Sequence, residues 1–308
     1  MRDLVLIGAG PVGLFGLYCA GLHRLKATIV ERLDRVGGQL EYLYPEKPIY
    51  DVGGFPMIRG RELVERLSQQ AFQYPSECLA GVEVTGLRET PGGWRLSTSR
   101  GPIDSRTIII TGGIGKFIPR RYNNPTIDQY EGQGLSYTVE HLKDYRHQRV
   151  LVVGGGDSAA DWALATAEEA DAVIMIHRRD TFQCHADSLE KLGQHPRIQL
   201  LPNRTLDRVL GEGRVESVEL RGIDGALERL TVDRIIVAIG LLPGTDIFHR
   251  WGLQMDGHEI PVASNMATNL PGVYAAGDIA TYPGKVKLIA AGFGEVATAV
   301  EAALGHLA

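Results

Sequence analysis

Two glycine-rich turns dominate the sequence, and each has the spacing of a phosphate-binding turn. The first lies within Leu4–Gly13 and the second within Val150–Ala159, each directly after an apolar run that favours a buried strand. Small residues follow both turns and favour a helix. A helix that begins at such a turn presents backbone N–H groups and the positive end of its dipole to a pyrophosphate. The duplicated pattern therefore predicts two dinucleotide sites.

The two patterns differ in the charge that ends the strand after the helix. The first reaches Glu31 and the second reaches His177, Arg178 and Arg179, and in both the first glycine precedes this point by 23 positions. A carboxylate here accepts hydrogen bonds from an adenosine ribose, whereas basic side chains accommodate a 2′-phosphate. We therefore expect FAD or NAD at the first turn and NADP at the second.

The composition is that of an ordinary globular protein. The 308 residues suffice for two domains, with 44% hydrophobic residues, 22% charged residues and a formal net charge of −5. This charge gives no reason to expect nucleic-acid binding. No apolar run approaches the roughly 20 residues that cross a bilayer, and the strand predicted from Leu4 leaves no room for a signal peptide. We therefore expect a cytoplasmic protein.

Cysteine and histidine usage limits the chemistry. Cys19, Cys78 and Cys184 are far apart, and a dithiol relay within one chain needs neighbouring thiols. The nine histidines do not cluster with cysteines or carboxylates, which argues against a metal site. Hydride transfer between nicotinamide and flavin needs neither feature, because the cofactors carry the chemistry and the protein positions them. We therefore expect no catalytic side chain.

The second dinucleotide unit interrupts the first. We predict an α/β fold of two Rossmann-like FAD/NAD(P)-binding domains with three-layer ββα architecture, the NADPH domain being inserted in the FAD domain. Residues 1–116 and 241–308 would form the FAD domain and residues 117–240 the NADPH domain. Apolar strands that close on glycine, Thr107–Gly112 and Arg234–Gly240, mark the two crossings.

Shorter strands with turn residues between them are predicted in each domain. In chain order they are Val82–Thr85, Trp94–Thr98, Ser105–Ile110, Arg214–Leu220 and Arg229–Val232. A final helix is predicted over about Ala290–Leu307.

Other residues could contact a flavin. Asp278, after Gly277 at a strand end, could hold a ribityl hydroxyl or a water on the pyrophosphate, or could be an exposed loop residue. At Gly38 and Gln39 the backbone could pass close to a flat ring and the amide could bond to it. Aromatic side chains in the following loop could stack on the ring or serve only for packing. These are Tyr42, Tyr44 and Tyr50.

Over essentially all of its length the chain resembles the thioredoxin-reductase-like ferredoxin(flavodoxin)–NADP reductases. The most specific segments are Gly37–Val52, Gly154–Leu164 and Gly277–Ile289. Relatives with thioredoxin activity carry a C-x-x-C in the basic domain, which this chain lacks after Gly134. Bacillithiol-reductase relatives have a cysteine where this chain has Val12.

The resemblance implies FAD in the outer domain, NADPH in the inserted domain, and a homodimer. Hydride would pass from NADPH to the flavin, and single electrons would leave for ferredoxin or flavodoxin. The residues implied to contact FAD are Glu31, Gln39, Tyr44, Val84, Phe117 and Asp278, with Tyr50 stacked on one flavin face. The turns add Gly8, Gly10, Pro11, Val12, Gly13, Gly38 and Gly277 to the FAD site. The NADPH site would comprise Gly154, Gly156, Asp157, Ser158, His177, Arg178 and Arg179.

Two departures from the family pattern affect these expectations. Many relatives have an arginine four residues beyond Arg179, where this chain has Gln183. One cation fewer at the 2′-phosphate predicts a modest preference for NADPH and measurable use of NADH. Relatives usually continue past the last helix into a tail that lays an aromatic residue over the second flavin face, whereas this sequence stops at Ala308. Either the sequence is truncated at this point or the second flavin face is open, and an open face would favour oxidation of the flavin by oxygen or quinones.

The leading hypothesis is an NADPH-dependent flavoenzyme that reduces ferredoxin or flavodoxin. The alternatives are a low-molecular-weight disulfide or quinone reductase and a non-catalytic flavin protein that senses NADPH. Ferredoxins are acidic, so a basic docking surface is expected. Its candidate cations are Lys116, Arg120, Arg121, Lys285 and Lys287.

Overall fold

A computed structural model describes residues 1–43, 45–113, 115, 118–139, 141–242 and 244–308, so that Tyr44, Lys116 and Phe117 lie outside the described residues. The chain divides into two compact units. The first comprises Met1–Tyr42, Pro48–Phe117 and Pro243–Ala308, and the second comprises Leu43–Lys47 and Ile118–Leu242.

The secondary structure alternates short strands and helices. In chain order the strands are β1 (Arg2–Ile7), β2 (Ala27–Val30), β3 (Pro48–Ile49), β4 (Ile58–Arg59), β5 (Glu77–Leu79), β6 (Val84–Thr90), β7 (Gly93–Thr98), β8 (Ile103–Ile110), β9 (Ile118–Pro119), β10 (Leu135–Ser136), β11 (Arg149–Val153), β12 (Ala172–Ile176), β13 (Ile198–Leu201), β14 (Arg204–Leu210), β15 (Ser217–Gly222), β16 (Leu227–Thr231), β17 (Arg234–Val237), β18 (Leu241–Leu242), β19 (Ile260–Pro261), β20 (Val273–Ala275) and β21 (Ala280–Thr281). The helices are α1 (Pro11–Leu22), α2 (Gln39–Tyr42), α3 (Gly60–Ala71), α4 (Pro125–Asp128), α5 (Asp157–Ala167), α6 (Ala186–Gln194), α7 (Asp246–Arg250) and α8 (Ile289–Leu307). Turns of 3₁₀ helix span Leu142–Tyr145 and Gly277–Ile279.

The first unit is built on a sheet that divides along β8. The end of β8 lies parallel to β1 and β20, and β1 continues the parallel part through β2 to β5. The beginning of β8 pairs antiparallel with β7, which pairs antiparallel with β6. One long strand thus joins the parallel sheet to the antiparallel layer above it.

Alternation along β1 fills the two faces of this sheet. Leu4 and Leu6 point into a core that includes residues of α1, α3 and α8. Val5 and Ile7 point into a second core with Trp94 and other residues of the antiparallel layer. Both faces are covered, which explains why β1 and β2 are continuous apolar runs rather than alternating ones.

The second unit repeats this plan at smaller size. Its parallel sheet has the order β10-β17-β11-β12-β13, and β14, β15 and β16 form an antiparallel sheet. Along β11, Val150 and Val152 pack with residues of α5 such as Trp162. Leu151 and Val153 pack with residues of the antiparallel sheet. The unit therefore has the same helix, sheet and sheet layers.

The structure corrects the predicted strands in the antiparallel layers. The predicted strand at Val82–Thr85 begins at Val84 and continues to Thr90, and the predicted strand at Arg214–Leu220 begins at Ser217. Strand β14 was not predicted at all. Its buried residues, Leu206 and Val209, are three apart because the pairing with β15 shifts by one residue between Leu206 and Arg208. A bulge of this kind interrupts the two-residue alternation by which strands are recognised.

Among the described residues, no helix combines the length and the apolar character that a membrane span requires.

Candidate functional site

The first glycine turn joins β1 to α1 by close backbone contact. Gly8 has φ +107°, and a Cβ there would lie 2.7 Å from the carbonyl oxygen of Thr111. A Cβ on Gly13 would lie well inside contact distance of the carbonyl oxygen of Gly8. Around Gly10, by contrast, a Cβ would meet no described atom within 4 Å. The turn is therefore tight where α1 meets the strands and open at the helix N-terminus.

The N-terminus of α1 has the features of an anion-binding end. Gly10 precedes the helix without a side-chain cap, and Pro11 occupies a first-turn position. Proline suits this position because its φ fits a helix and its missing N–H would have no intrahelical partner. The uncapped N–H groups and the helix dipole favour a pyrophosphate at this point.

Glu31 lies beside the turn with its orientation fixed. Its side chain is 7% exposed. Oε2 accepts a hydrogen bond from the N–H of Ala9 at 2.8 Å, and Oε1 accepts one from the N–H of Leu33 at 2.9 Å. A carboxylate oxygen has more than one acceptor site, so both oxygens can still accept from ribose hydroxyls.

The segment that begins α2 also lies at this turn. The N–H of Gly37 donates to the carbonyl of Ala9 at 2.7 Å. A Cβ on Gly38 would lie 3.1 Å from Cα of Gly10, and the Nε2 atom of Gln39 lies 3.3 Å from the Cβ position of Gly113. These contacts place Gly38 and Gln39, which are separated from the turn in sequence, at the turn itself.

The Gly277–Ile279 turn approaches α1 from the other side. Gly277 has φ +80°, and a Cβ there would lie 3.2 Å from the Val12 side chain. Asp278 follows and is only partly exposed. Burial raises the pKa of the Asp278 carboxyl, and Lys285 and Lys287 partly oppose this shift. Asp278 is therefore not the exposed loop residue that was the alternative interpretation.

The remaining predicted flavin contacts are less directly placed. Tyr50 is 68% exposed and lines a cavity of about 510 Å³ with its neighbours up to Pro56 and with Leu288 and Ala290. Val84 is buried in β6, within the core between the parallel strands and the antiparallel layer of the first unit. The structure brings neither residue to the glycine turn, and Tyr44 and Phe117 lie outside the described residues.

The second glycine turn has the same construction as the first. Gly154 has φ +156°, and a Cβ there would collide with the carbonyl oxygen of Ala238. Gly156 has open space around it and precedes α5 without a side-chain cap. In the first turn of α5, beside Ser158, Asp157 accepts a hydrogen bond from the N–H of His185 at 2.8 Å. This carboxylate holds the loop before α6 against the start of α5.

The basic cluster at the end of β12 divides into two cations and a neutral imidazole. Arg178 and Arg179 are exposed. The ring of His177 packs against Gly155, where a Cβ would overlap it, and its Nε2 atom is buried with no hydrogen-bond partner among the described residues. Burial, together with Arg179 and Arg178, lowers the pKa of His177. At neutral pH the positive charge therefore comes from the two arginines.

Gln183 lies directly at this turn, because its N–H donates to the carbonyl of Gly155 at 2.5 Å. The position at which many relatives have an arginine is thus adjacent to the glycine turn and to His177.

Both sites fit a dinucleotide. Each combines an uncapped helix N-terminus, open space at the second glycine and charged side chains at the end of the next strand. The carboxylate of Glu31 matches a ribose with free hydroxyls, and the arginine pair matches a 2′-phosphate. The orphaned Nε2 atom of His177 is a further polar group that a bound ligand could satisfy.

The three cysteines have the character of inert thiols. Cys19 is buried, and burial raises its pKa to about 11. Burial also raises the pKa of Cys78 and of Cys184. Because the thiolate is the reactive form, raised pKa values disfavour thiol–disulfide chemistry.

The structure corrects the predicted docking cations. Lys285 is wrong as a surface cation, because its side chain is 6% exposed and forms an ion pair with Glu295. Arg121 forms a bidentate pair with Glu131, and Lys287 pairs with Glu259. Arg120 is exposed.

Two residues that sequence reasoning missed organise this site. Asp51 accepts a hydrogen bond at 2.6 Å from the N–H of Ile289, at the start of α8. Glu295 accepts one at 2.8 Å from the N–H of Gly277. For Glu295 a signal existed, since it is the one charged residue in the run 289–300.

The fold and the two turns define a class: α/β proteins with two Rossmann-like dinucleotide-binding units. Within that class, the chain belongs to the pyridine nucleotide-disulphide oxidoreductase family, which matches residues 2–303. Membership confirms the predicted fold class and the resemblance stated from the sequence.

Relatives and solved structures agree with this assignment. The chain is 43% identical over 303 residues to a ferredoxin–NADP reductase of Halalkalibacterium halodurans, covering 97% of the chain and 92% of the relative. It is 41% identical over 307 residues to ferredoxin–NADP reductase 2 of Bacillus subtilis, covering 99% and 92%. The crystal structure of T. acidophilum thioredoxin reductase matches with a TM-score of 0.86 and 26% identity, covering 100% of this chain and 99% of that one.

We predict that Gly13→Ala destabilises the protein by about 1–3 kcal/mol, because the added methyl group would overlap the Gly8 carbonyl and push α1 from the strand. FAD affinity should fall with it. The measurement is urea unfolding together with FAD titration of the apoprotein. Gly305→Ala is the matched control, since it also lies in a helix but its Cβ would meet nothing within 4 Å. Equal effects of the two changes would contradict the close packing at Gly13.

Proposed function

We propose that the protein is a ferredoxin–NADP reductase that binds FAD at the first glycine turn and NADPH at the second. The observation that carries the proposal is the pair of glycine turns with opposite charge, Glu31 beside one and Arg178–Arg179 beside the other, in a chain without neighbouring thiols. The names of its relatives support the same activity.

The domain assignment follows from this proposal. Residues 1–116 and 241–308 form the FAD domain, and residues 117–240 form the NADPH domain. The proposed FAD ligands are Gly8, Gly10, Pro11, Val12, Gly13, Glu31, Gly38, Gln39, Tyr44, Tyr50, Val84, Phe117, Gly277 and Asp278. The proposed NADPH ligands are Gly154, Gly156, Asp157, Ser158, His177, Arg178 and Arg179.

The protein's own contribution is binding and orientation. When bound, FAD supplies a carrier that accepts a hydride and releases electrons singly. The uncapped start of α1 binds the pyrophosphate, Glu31 accepts from the ribose, and Asp278 holds the ribityl region. Arg178 and Arg179 select the 2′-phosphate of NADPH, and His177, which is neutral, contributes a ring nitrogen rather than charge.

A disulfide reductase is disfavoured by the thiols themselves. The pKa of each cysteine is raised by burial, and Cys19, with a pKa of about 11, is almost entirely thiol at neutral pH. The chain therefore belongs to a family named for disulphide oxidoreduction, but its cysteines are suited to packing rather than to thiol–disulfide exchange.

The partner and the assembly are part of the proposal. We infer that the acceptor is ferredoxin or flavodoxin and that the protein acts as a cytoplasmic homodimer. Arg120, Arg121 and Lys287 are the exposed cations among the described docking candidates, and Arg121 and Lys287 are ion-paired within the chain. Sedimentation equilibrium of the FAD-loaded protein should give twice the chain mass of 33.6 kDa; the monomer mass would contradict the dimer.

We predict that the FAD-loaded protein reduces ferredoxin with NADPH, and that a variant with all three cysteines replaced, Cys19→Ala/Cys78→Ser/Cys184→Ser, does so within about twofold of the same rate, because no thiol takes part. Ferredoxin-dependent cytochrome c reduction measures both. Reduction of glutathione or bacillithiol disulfide, abolished in the cysteine-free variant, would instead indicate a disulfide reductase. NADPH binding without turnover on any acceptor would indicate a sensor.

We predict that Arg178→Ala/Arg179→Ala raises the KM for NADPH roughly tenfold or more and the KM for NADH less than about twofold, because a charge-assisted hydrogen bond to phosphate is lost only with NADPH. Steady-state kinetics with both nucleotides measure this. Arg208→Ala is the matched control, since Arg208 is half-exposed on β14 of the same unit and outside the proposed site.

The reverse change, Gln183→Arg, should lower the KM for NADPH, because it adds a cation beside Gly155. Equal changes for NADPH and NADH in these variants would show that the arginines do not bind the 2′-phosphate.

A further inference from the structure

Two buried charged side chains, Lys285 and Glu295, bond to Gly277, and the partly exposed Tyr282 bonds to Glu295. Lys285 and Glu295 form an ion pair whose side chains are 6% and 5% exposed, and Tyr282 donates its hydroxyl hydrogen to Oε1 of Glu295 at 2.7 Å. Burial of two charges is costly, and their attraction repays that cost only with good geometry and further hydrogen bonds. Replacing such a pair by apolar residues is often neutral or stabilising, so stability alone does not explain it.

The pair holds both polar groups of one glycine. The N–H of Gly277 donates to Oε2 of Glu295 at 2.8 Å, and its carbonyl accepts from Nζ of Lys285 at 3.1 Å. The carbonyl also accepts from the N–H of Ala280. Gly277 has φ +80°, where a residue with a side chain would be strained. The ion pair therefore fixes the backbone where it turns into Asp278.

Asp278 is the residue whose position this clamp determines. Gly277 and Gly292 both pack on Val12, so the turn lies against the first glycine turn. The Asp278 side chain is partly exposed and accepts no hydrogen bond from the described residues. Partial burial raises the pKa of its carboxyl, and Lys285 opposes this shift. A carboxylate beside the glycine turn to which no described residue donates a hydrogen bond is available to a ligand.

Among the contacts of the described residues, Lys285 and Glu295 make no hydrogen bond to Asp278 itself. Both bond to the backbone of Gly277, the residue directly before Asp278. We propose that Lys285, Glu295 and Tyr282 are positioning residues, which clamp Gly277 and thereby aim the Asp278 carboxylate at FAD. The inference rests on the proposed function, since it takes FAD as the ligand. It assigns to Lys285 an interior role in place of the docking role expected from the sequence.

The first test is Lys285→Met, which removes the ammonium group at similar volume. The dissociation constant of FAD for the apoprotein, measured by quenching of flavin fluorescence, should rise about tenfold or more. This is the size of effect found when a residue that orients a metal ligand is replaced. The visible circular dichroism of the bound flavin should change as well. Lys287→Met is the matched control: it also removes a positive charge near Asp278, but Lys287 is 52% exposed and pairs with Glu259. Its effect should stay below about threefold.

The double variant Lys285→Met/Glu295→Gln separates positioning from stability. It leaves no unpaired buried charge, so the unfolding midpoint of the apoprotein should recover relative to Lys285→Met. The FAD dissociation constant should stay raised, because the Gly277 carbonyl still lacks its ammonium donor. Recovery of FAD affinity together with stability would overturn the proposal, as would unchanged affinity in folded Lys285→Met. If Lys285→Met does not fold, the double variant alone decides.

The readout is FAD affinity and not turnover. Failure of the wild-type protein to reduce ferredoxin would therefore contradict the proposed function and leave this measurement intact.

Discussion

The structure depends on one constraint, which is that a helix must begin almost in contact with the strand that precedes it. At Gly13 a single added carbon would overlap the Gly8 carbonyl, and in the second unit the Cβ of Ala159 in α5 lies 2.8 Å from the Cβ position of Gly154. These contacts bring the N-termini of α1 and α5 to the carboxyl ends of β1 and β11. The second glycine of each turn faces open space, which is the feature that lets backbone approach a phosphate in dinucleotide-binding turns.

Because the two turns are alike, the proposed selectivity between the two nucleotides rests on the charged residues at the end of the next strand. Glu31 is held by two backbone N–H groups, so its charge is fixed beside the first turn. In the second unit the ring of His177 fills the space that Gly155 leaves, and burial keeps it neutral. The imidazole thus packs against the second glycine turn, and the two arginines that follow it in sequence are exposed. The two sites therefore differ in charge: the first has one oriented anion, Glu31, and the second has two cations, Arg178 and Arg179.

The sequence predicted the features that are local and missed those that are not. The apolar runs of β1, β8, β11 and β17 and the charges at Glu31 and Arg178 are read from short patterns, because backbone geometry and neighbouring residues determine them. Strand β14 escaped because its bulge breaks the alternation. The hydrogen bond from Ile289 to Asp51 spans 238 positions, and no local pattern can indicate it. Lys285 was misassigned for the same reason, since its partner lies on another element.

Whether a charged side chain is buried or exposed is the property that the sequence indicates least well. A lysine followed by another basic residue two positions later, as in Lys285-Val286-Lys287, has the appearance of a solvated face. The two lysines nevertheless lie in opposite environments, 6% and 52% exposed. Only the buried one reaches the backbone of Gly277. Since a buried pair adds little net stability, its value to the protein must lie in what it orients, and the group it orients most directly is the peptide that leads into Asp278.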